Sequence, residues 1–109
     1  MEEQIEVFRG SDNIFEDLGF AGAEEMLAKA ELARQILSII TKRHLTQAAA
    51  SEILGVDQPK VSALMRGRLK GFSMERLFHF LNALGRDVRI VVKAKPRSRQ
   101  AAHLMVAAA

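Results

Sequence analysis

Apolar and polar positions repeat with a helical period over most of this chain, and the period changes only near its end. Between Ala23 and Arg43, Met26, Ala30, Ala33, Leu37 and Ile40 recur at spacings of four and three, flanked by Leu27, Ile36 and Ile39. That is the stripe of one long amphipathic helix. Glu24 and Glu25 fall in its first turn, and Lys42, Arg43 and His44 in its last, signs that suit the helix dipole at both ends. Lys42 and Arg43 either only complement that end or touch a polyanion. The next stretch, LTQAAASEILGVDQPKVSALMRG over residues 45–67, reads as two short helices joined by a tight turn. Thr46 is the expected N-cap of Gln47–Leu54, and Gly55 stands where a left-handed residue closes that helix. Asp57 is a second N-cap, Pro59 fits the first turn behind it, and Gly67 ends the second helix near Arg66. Ser73 then caps Met74–Leu84, with Met74, Leu77, Phe78, Leu81 and Leu84 facing inward and Gly85 as the stop. Phe80 falls off that stripe, so it belongs either to a second buried surface such as a dimer contact or to a partly exposed position.

The period drops to two between Asp87 and Lys93. Val88, Ile90 and Val92 alternate with Arg89, Val91 and Lys93, which predicts a half-buried strand. One strand cannot make a sheet. It must pair with residues 5–8, with its own copy across a two-fold axis, or with the sheet edge of a partner. Self-pairing would give a symmetric dimer, with Val88, Ile90, Val92 and Phe80 as the candidate dimer residues. Upstream, Ser11 or Asp12 can cap a short helix Asn13–Leu18 closed by Gly19. Phe15, Leu18 and Phe20 would pack that segment on the core or dock it on a partner protein. Residues 1–10 read as a strand or an unstructured arm. The segment PRSRQAAHLMVAAA from Pro96 onward reads as a mobile tail, whose Arg97 and Arg99 are solvated or add phosphate contacts. These elements sum to an all-α domain of five helices with a C-terminal strand: an arm with a short helix over 1–22, the helical domain over 23–95, and a flexible tail over 96–109.

The central pair of helices carries the functional signal. Ala49, Ile53, Val56, Val61, Leu64 and Met65 are spaced to pack inward. The opposite face of the second helix then holds Pro59, Lys60, Ser62, Ala63 and Arg66, with Gln58 at its exposed start. Two helices joined by a short Gly-containing turn form a helix-turn-helix unit, whose second helix can enter a DNA major groove. Short or hydrogen-bonding side chains and a few cations suit a groove about 12 Å wide. From Gln58 to Gly71 the chain has four basic residues (Lys60, Arg66, Arg68, Lys70) and no acid. The plainer reading is a small helical hairpin with a solvated charged face.

Charge distribution strengthens the DNA reading. Residues 1–31 hold nine acids and two bases (net −7), whereas residues 32–109 hold four acids and fourteen bases (net +10). A basic body fits a polyanion through phosphate neutralisation and counterion release, and an acidic front end should lie away from it. The length suits a single domain with one modest core. Zero cysteines exclude disulfides and thiolate metal sites. The start, MEEQIEVFRG, lacks an apolar signal-peptide core, and no apolar run approaches the ~18 residues of a membrane span. The expectation is a soluble, cytoplasmic protein.

Residues 45–67 resemble the helix-turn-helix of the lambda-repressor-like (Cro/XRE) family. A wider span, from about Ser11 to Lys95 and including GFSMERLFHFLNALGRDVRIVVK, is similar to the compact XRE-type regulators that accompany RelE/HigB-like toxins, the HigA-type antitoxins. The resemblance implies a lambda-repressor-like fold. It also implies that a Gln opening the first helix of the motif braces a DNA phosphate, while a Gln opening the second reads an adenine. Gln47 and Gln58, eleven apart, match those positions. Pro59 stands where a hydrogen-bonding residue is common and Lys60 where small residues are frequent, so base preference is not transferable. On this reading Gln58 contacts a base through its bidentate amide, Pro59 and Ala63 touch a thymine methyl, and Lys60 reaches guanine or phosphate. Gln47, Ser62, Arg66, and with them Arg68 and Lys70, hold the backbone.

Other chemistry is not signalled. His44, His79 and His103 lie 35 and 24 residues apart, without the close helical spacing of metal ligands. No Gly-rich phosphate loop is present, and Ser38, Ser51, Ser62 and Ser73 lack an adjacent His–Asp set. No cofactor, metal or enzymatic activity is expected. Two function classes follow: a stand-alone XRE-type repressor of operator DNA, or a protein-neutralising antitoxin that binds a RelE/HigB-like toxin and autoregulates its own operon.

Overall fold

The computed structural model describes residues 20–108. Four helices lie within them: α1 Phe20–Lys42, α2 Gln47–Leu54, α3 Gln58–Met65 and α4 Met74–Ala83. The short helix expected over Asn13–Leu18 lies outside the described residues, as do residues 5–8. The described fold therefore has four helices, not five, and no strand.

The helix ends obey local rules. Thr46, Asp57 and Ser73 all hold extended backbone, and each accepts a hydrogen bond from the N–H three residues on, those of Ala49, Lys60 and Arg76 at 3.0–3.1 Å. Pro59 sits in the first turn of α3, where its missing donor costs nothing. Each C-terminus closes through a left-handed residue. After α2 that residue is Gly55 at φ 72°, with the Val56 N–H returning to the Ser51 carbonyl at 3.1 Å. The Ser51 hydroxyl donates to the Val56 carbonyl and fixes the turn into α3. After α1 the same place is taken by His44 at φ 54°, the one non-Gly residue with positive φ among those described. The His44 N–H reaches the Thr41 carbonyl and the Leu45 N–H the Ile40 carbonyl, both at 3.0 Å.

α1 packs on α4, α2 packs on α3, and both α1 and α4 also touch the central pair. Leu32, Ala33, Ile36, Ile39 and Ile40 of α1 meet Ala50 and Leu54 of α2, Val61 and Leu64 of α3, and Leu77, Phe80, Leu81 and Leu84 around α4 in one core. Ala33, Ile36, Ile39 and Ile40 of α1, Val61 and Leu64 of α3, and Leu77, Leu81 and Leu84 around α4 are buried as expected. Other inward positions of α1, α2 and α3 differ from the expected ones. Met26 and Leu27 are 71% and 70% exposed, and Ala30 is exposed, while Ala28 and Leu32 are buried. In α2 and α3, Ala50 and Leu54 go inward, while Ile53 and Met65 remain exposed. α1 also begins at Phe20, three residues before the expected start, which moves Glu24 and Glu25 out of its first turn. Glu25 pairs with Lys29 at 3.5 Å. Glu24 instead accepts from the Leu104 N–H at 3.1 Å and meets His103 Nδ1 at 2.5 Å, holding the C-terminal segment against α1. Val106 of that segment packs on the core.

Two dimer expectations need correction. Phe80 is 3% exposed and meets Phe72 edge to face, with ring centroids 5.9 Å apart, so it serves the internal core rather than a free surface. The loop after α3 folds back and brings Phe72 to it, a contact that helical periodicity does not report. The segment from Asp87 to Lys93 is not a strand, because no second strand lies beside it among the described residues. Val88 is half-buried on the core, whereas Ile90 and Val92 are exposed. No described helix is long and apolar enough to cross a membrane.

Candidate nucleic-acid interface

α3 is anchored from behind and open in front. Val61 and Leu64 are fully buried and lock its inner face. Gln58, Pro59, Lys60 and Arg66 are exposed on the other side, while Ser62 and Ala63 are half-buried. The Asp57 carboxylate satisfies the Lys60 N–H at 3.1 Å, so Gln58 opens a helix whose first turn is fixed. Gln47 occupies the matching place on α2, exposed and directly after the Thr46 cap. The Ser51–Val56 bond and the Gly55 closure set the angle between α2 and α3, and thereby where both glutamines point.

A shallow open depression runs along one side of α3. It brings Pro59, Lys60 and Ala63 beside Arg68 and Lys70 of the following loop, with buried Phe72 in its wall. Five of the nine sequence-assigned positions thus share one surface; Gln47, Gln58, Ser62 and Arg66 lie outside it. The Lys60 ammonium sits 5.9 Å from the centre of the Phe72 ring, within range of a cation–π attraction. Lys60 is therefore drawn toward the loop rather than projecting freely from the helix. Ala63 packs partly on the core, so only part of its methyl faces outward.

Arg76 was missed by the sequence reading. Its guanidinium lies 5.7 Å from the Phe72 ring centre and 5.8 Å from that of Phe80. It thereby adds a cation to the Lys60 side of the site. Part of the signal was present: Arg76 and Phe80 stand four apart on one face of α4, whereas Phe72 comes from the loop before it. Arg43 resolves the other way. Its Nη2 donates to the Leu84 carbonyl at 2.6 Å, tying the end of α1 to the end of α4, which commits it to the fold.

The arrangement is a capped, exposed helix N-terminus with an amide side chain, beside a depression lined by Lys60, Arg68 and Lys70 and by no acid other than the Asp57 cap. Such a surface can hydrogen-bond base edges and neutralise phosphates. Among the described residues, no three His, Cys, Asp or Glu side chains cluster so as to hold a metal ion.

Comparison with known proteins agrees with this geometry. No curated protein matches the chain. A solved structure described as a candidate XRE family transcriptional regulator is 52% identical and superposes with a TM-score of 0.77, covering 81% of this chain and 99% of that one. The family model described as helix-turn-helix domain matches residues 14–93. The chain belongs to this helix-turn-helix family, in the XRE class of transcriptional regulators.

Proposed function

We propose that this regulator represses transcription as a homodimer on a two-fold operator, with α3 in the major groove of each half-site. The observation that carries the reading is the exposed start of α3, with Gln58, Pro59 and Lys60 held outward by buried Val61 and Leu64 and by the Asp57 cap. Gln58 reads a base, most naturally adenine. Gln47, Ser62, Arg66, Arg68 and Lys70 hold phosphates, and Lys60 joins them, because Phe72 draws its ammonium to the loop side. Pro59 and the outer part of Ala63 supply apolar contact to a thymine methyl.

The test is fluorescence anisotropy on the chain's own upstream DNA against scrambled DNA, at several salt concentrations. Gln58→Ala should lose ~1–3 kcal/mol at the cognate site and leave non-specific binding unchanged. Equal binding to both DNAs at every salt concentration would refute sequence-specific repression.

The finer reading, that this regulator is the antitoxin of a type II pair, has one feature in its favour. Met26 and Leu27 present an apolar surface on α1, an element with no assigned DNA contact. A RelE/HigB-like ribonuclease encoded beside it should arrest growth alone and be neutralised by co-expression. Neutralisation should fail with Met26→Asp/Leu27→Asp, while operator binding persists. A neighbouring gene of another kind would favour the stand-alone repressor.

A further inference from the structure

We infer that residues 87–93 join two copies of this chain as an antiparallel pair, in the one register that sets Ile90 opposite its own copy. This rests on the homodimer reading above and names the seam of that dimer.

Three observations converge on the segment. First, no backbone–backbone hydrogen bond joins residues 87–94 to another described residue. Second, Ile90, Val91 and Val92 are 68%, 70% and 91% exposed, three consecutive β-branched side chains in water. Such a run favours pairing unless charges oppose it. Third, Val88 is packed on the core, which fixes the facing of the run and makes any sheet built on it continuous with each core.

Charge then selects the register. A two-fold axis through an antiparallel pair keeps every side chain on its own face, so one residue must lie opposite its own copy. Centring on Val91 sets Arg89 against Lys93 of the second copy, twice, which offsets the two Asp87–Lys95 pairs it also makes. Centring on Val88 pairs Asp87 with Arg89 but sets Arg86 against Ile90 on the apolar face. Centring on Arg89 sets Arg89 against itself, and centring on Val92 sets Arg89 against Lys95 twice. Like charges directly opposite one another destabilise a pair. Centring on Ile90 instead sets Asp87 against Lys93 of the second copy on both sides of the axis, and Val88 against Val92. Val88, Ile90 and Val92 of both copies then form one apolar face of six β-branched residues. Arg89 lies opposite Val91 on the other face, with no like charge across from it. An unrelated partner would have no reason to match the chain's own Asp87 with its own Lys93.

The test needs no DNA. The chain has no cysteine, so a single introduced one is the sole thiol. Under mild oxidation of the full chain, Ile90→Cys should cross-link to its copy much faster than Arg89→Cys or Val91→Cys, and faster than a Ser98→Cys control. By sedimentation equilibrium, Asp87→Lys and Lys93→Asp should each raise the dimer dissociation constant about tenfold, since each creates two like-charge pairs. The double variant should restore it. Dominant cross-linking at position 91, no rescue by the double variant, or a monomer at all concentrations would each overturn the proposal. Circular dichroism guards against unfolding, which these exposed positions should not cause. Operator anisotropy separates the two readings. Selective DNA binding without the Ile90 cross-link would sink the seam alone, and the cross-link without selective DNA binding would sink repression alone.

Discussion

Replacing Arg43 by Ala decides between two roles for a cation that immediately precedes the helix-turn-helix. If Arg43 touches DNA, the loss should appear in binding; if it closes the fold, in stability. Its Nη2 donates to the Leu84 carbonyl at 2.6 Å across 41 residues of sequence, at the end of α4, where carbonyls lack helical partners. A hydrogen bond from a charged donor contributes ~1.5–3 kcal/mol when well shielded. This one is only part-buried, and water can reach the carbonyl once the guanidinium is gone, so about 1–1.5 kcal/mol is expected. For a domain of this size, each 1 kcal/mol moves the melting temperature by about 4–8 °C. Urea unfolding should show a lower midpoint with an unchanged slope, because the surface exposed on unfolding is the same. Arg43→Lys should fall between, since one ammonium replaces a forked donor. The salt dependence of operator binding should be that of the wild type. A variant of wild-type stability whose salt slope drops by about one would refute the assignment and return Arg43 to the phosphates.

Three further outcomes follow from local geometry. His44→Gly should stabilise the fold by about 0.5–1 kcal/mol, because His44 holds φ 54° in a closure that glycine occupies after the other helices; a loss in denaturant titration would mean the imidazole makes a contact of its own. Glu31 accepts from Arg34 at 2.6 and 3.0 Å and from Gln35 at 3.0 Å, and these bonds hold its carboxyl down at about 2 from the ordinary 4.5. A depressed folded value means the contribution is full above pH 4.5 and fades as pH falls toward 2, so Glu31→Gln should flatten stability against pH in that window; an NMR titration of Glu31 with a midpoint near 4.5 would contradict it. Arg66→Ala should weaken cognate and scrambled DNA alike and flatten the salt slope by about one; a sequence-selective loss would make Arg66 a base reader.

What could be read from sequence was local. The caps at Thr46, Asp57 and Ser73 act over three residues, and the Gly55 closure over five, so each is written in a short window. What could not be read was phase and tertiary company. Ten of the fifteen positions from 26 to 40 are apolar, so several helical stripes fit almost equally, and packing on α4 chose Leu32 and Ile36 over Met26. α2 and α3 have eight residues each, too few turns for periodicity to separate Leu54 from Ile53 or Leu64 from Met65. Phe80 looked spare because Phe72, its partner, comes from a loop that no period describes. The alternation at 87–93 is real in sequence, but a strand is a property of a pair, and one chain supplies half of it.

That last point bears on how such a domain discriminates between sequences. With Lys60 drawn over Phe72 and Arg66, Arg68 and Lys70 suited to phosphates, Gln58 is left as the one long hydrogen-bonding side chain at the start of α3. It is exposed at the helix start, where its amide can face a base. One bidentate amide discriminates by ~1–3 kcal/mol, roughly 5- to 150-fold against the wrong base. Non-specific phosphate binding by the surrounding cations strengthens every site equally and adds nothing to that ratio. Two copies fixed to one another apply the discrimination twice in a single event, so the ratio is squared. A separated pair applies it once per encounter. On the proposed reading, selectivity therefore depends as much on Asp87, Ile90 and Lys93, which touch no DNA, as on Gln58. Asp87→Lys should cost operator selectivity while leaving the affinity of a single half-site unchanged. If half-site affinity fell in step, the segment would be contacting DNA directly and the squaring argument would fail.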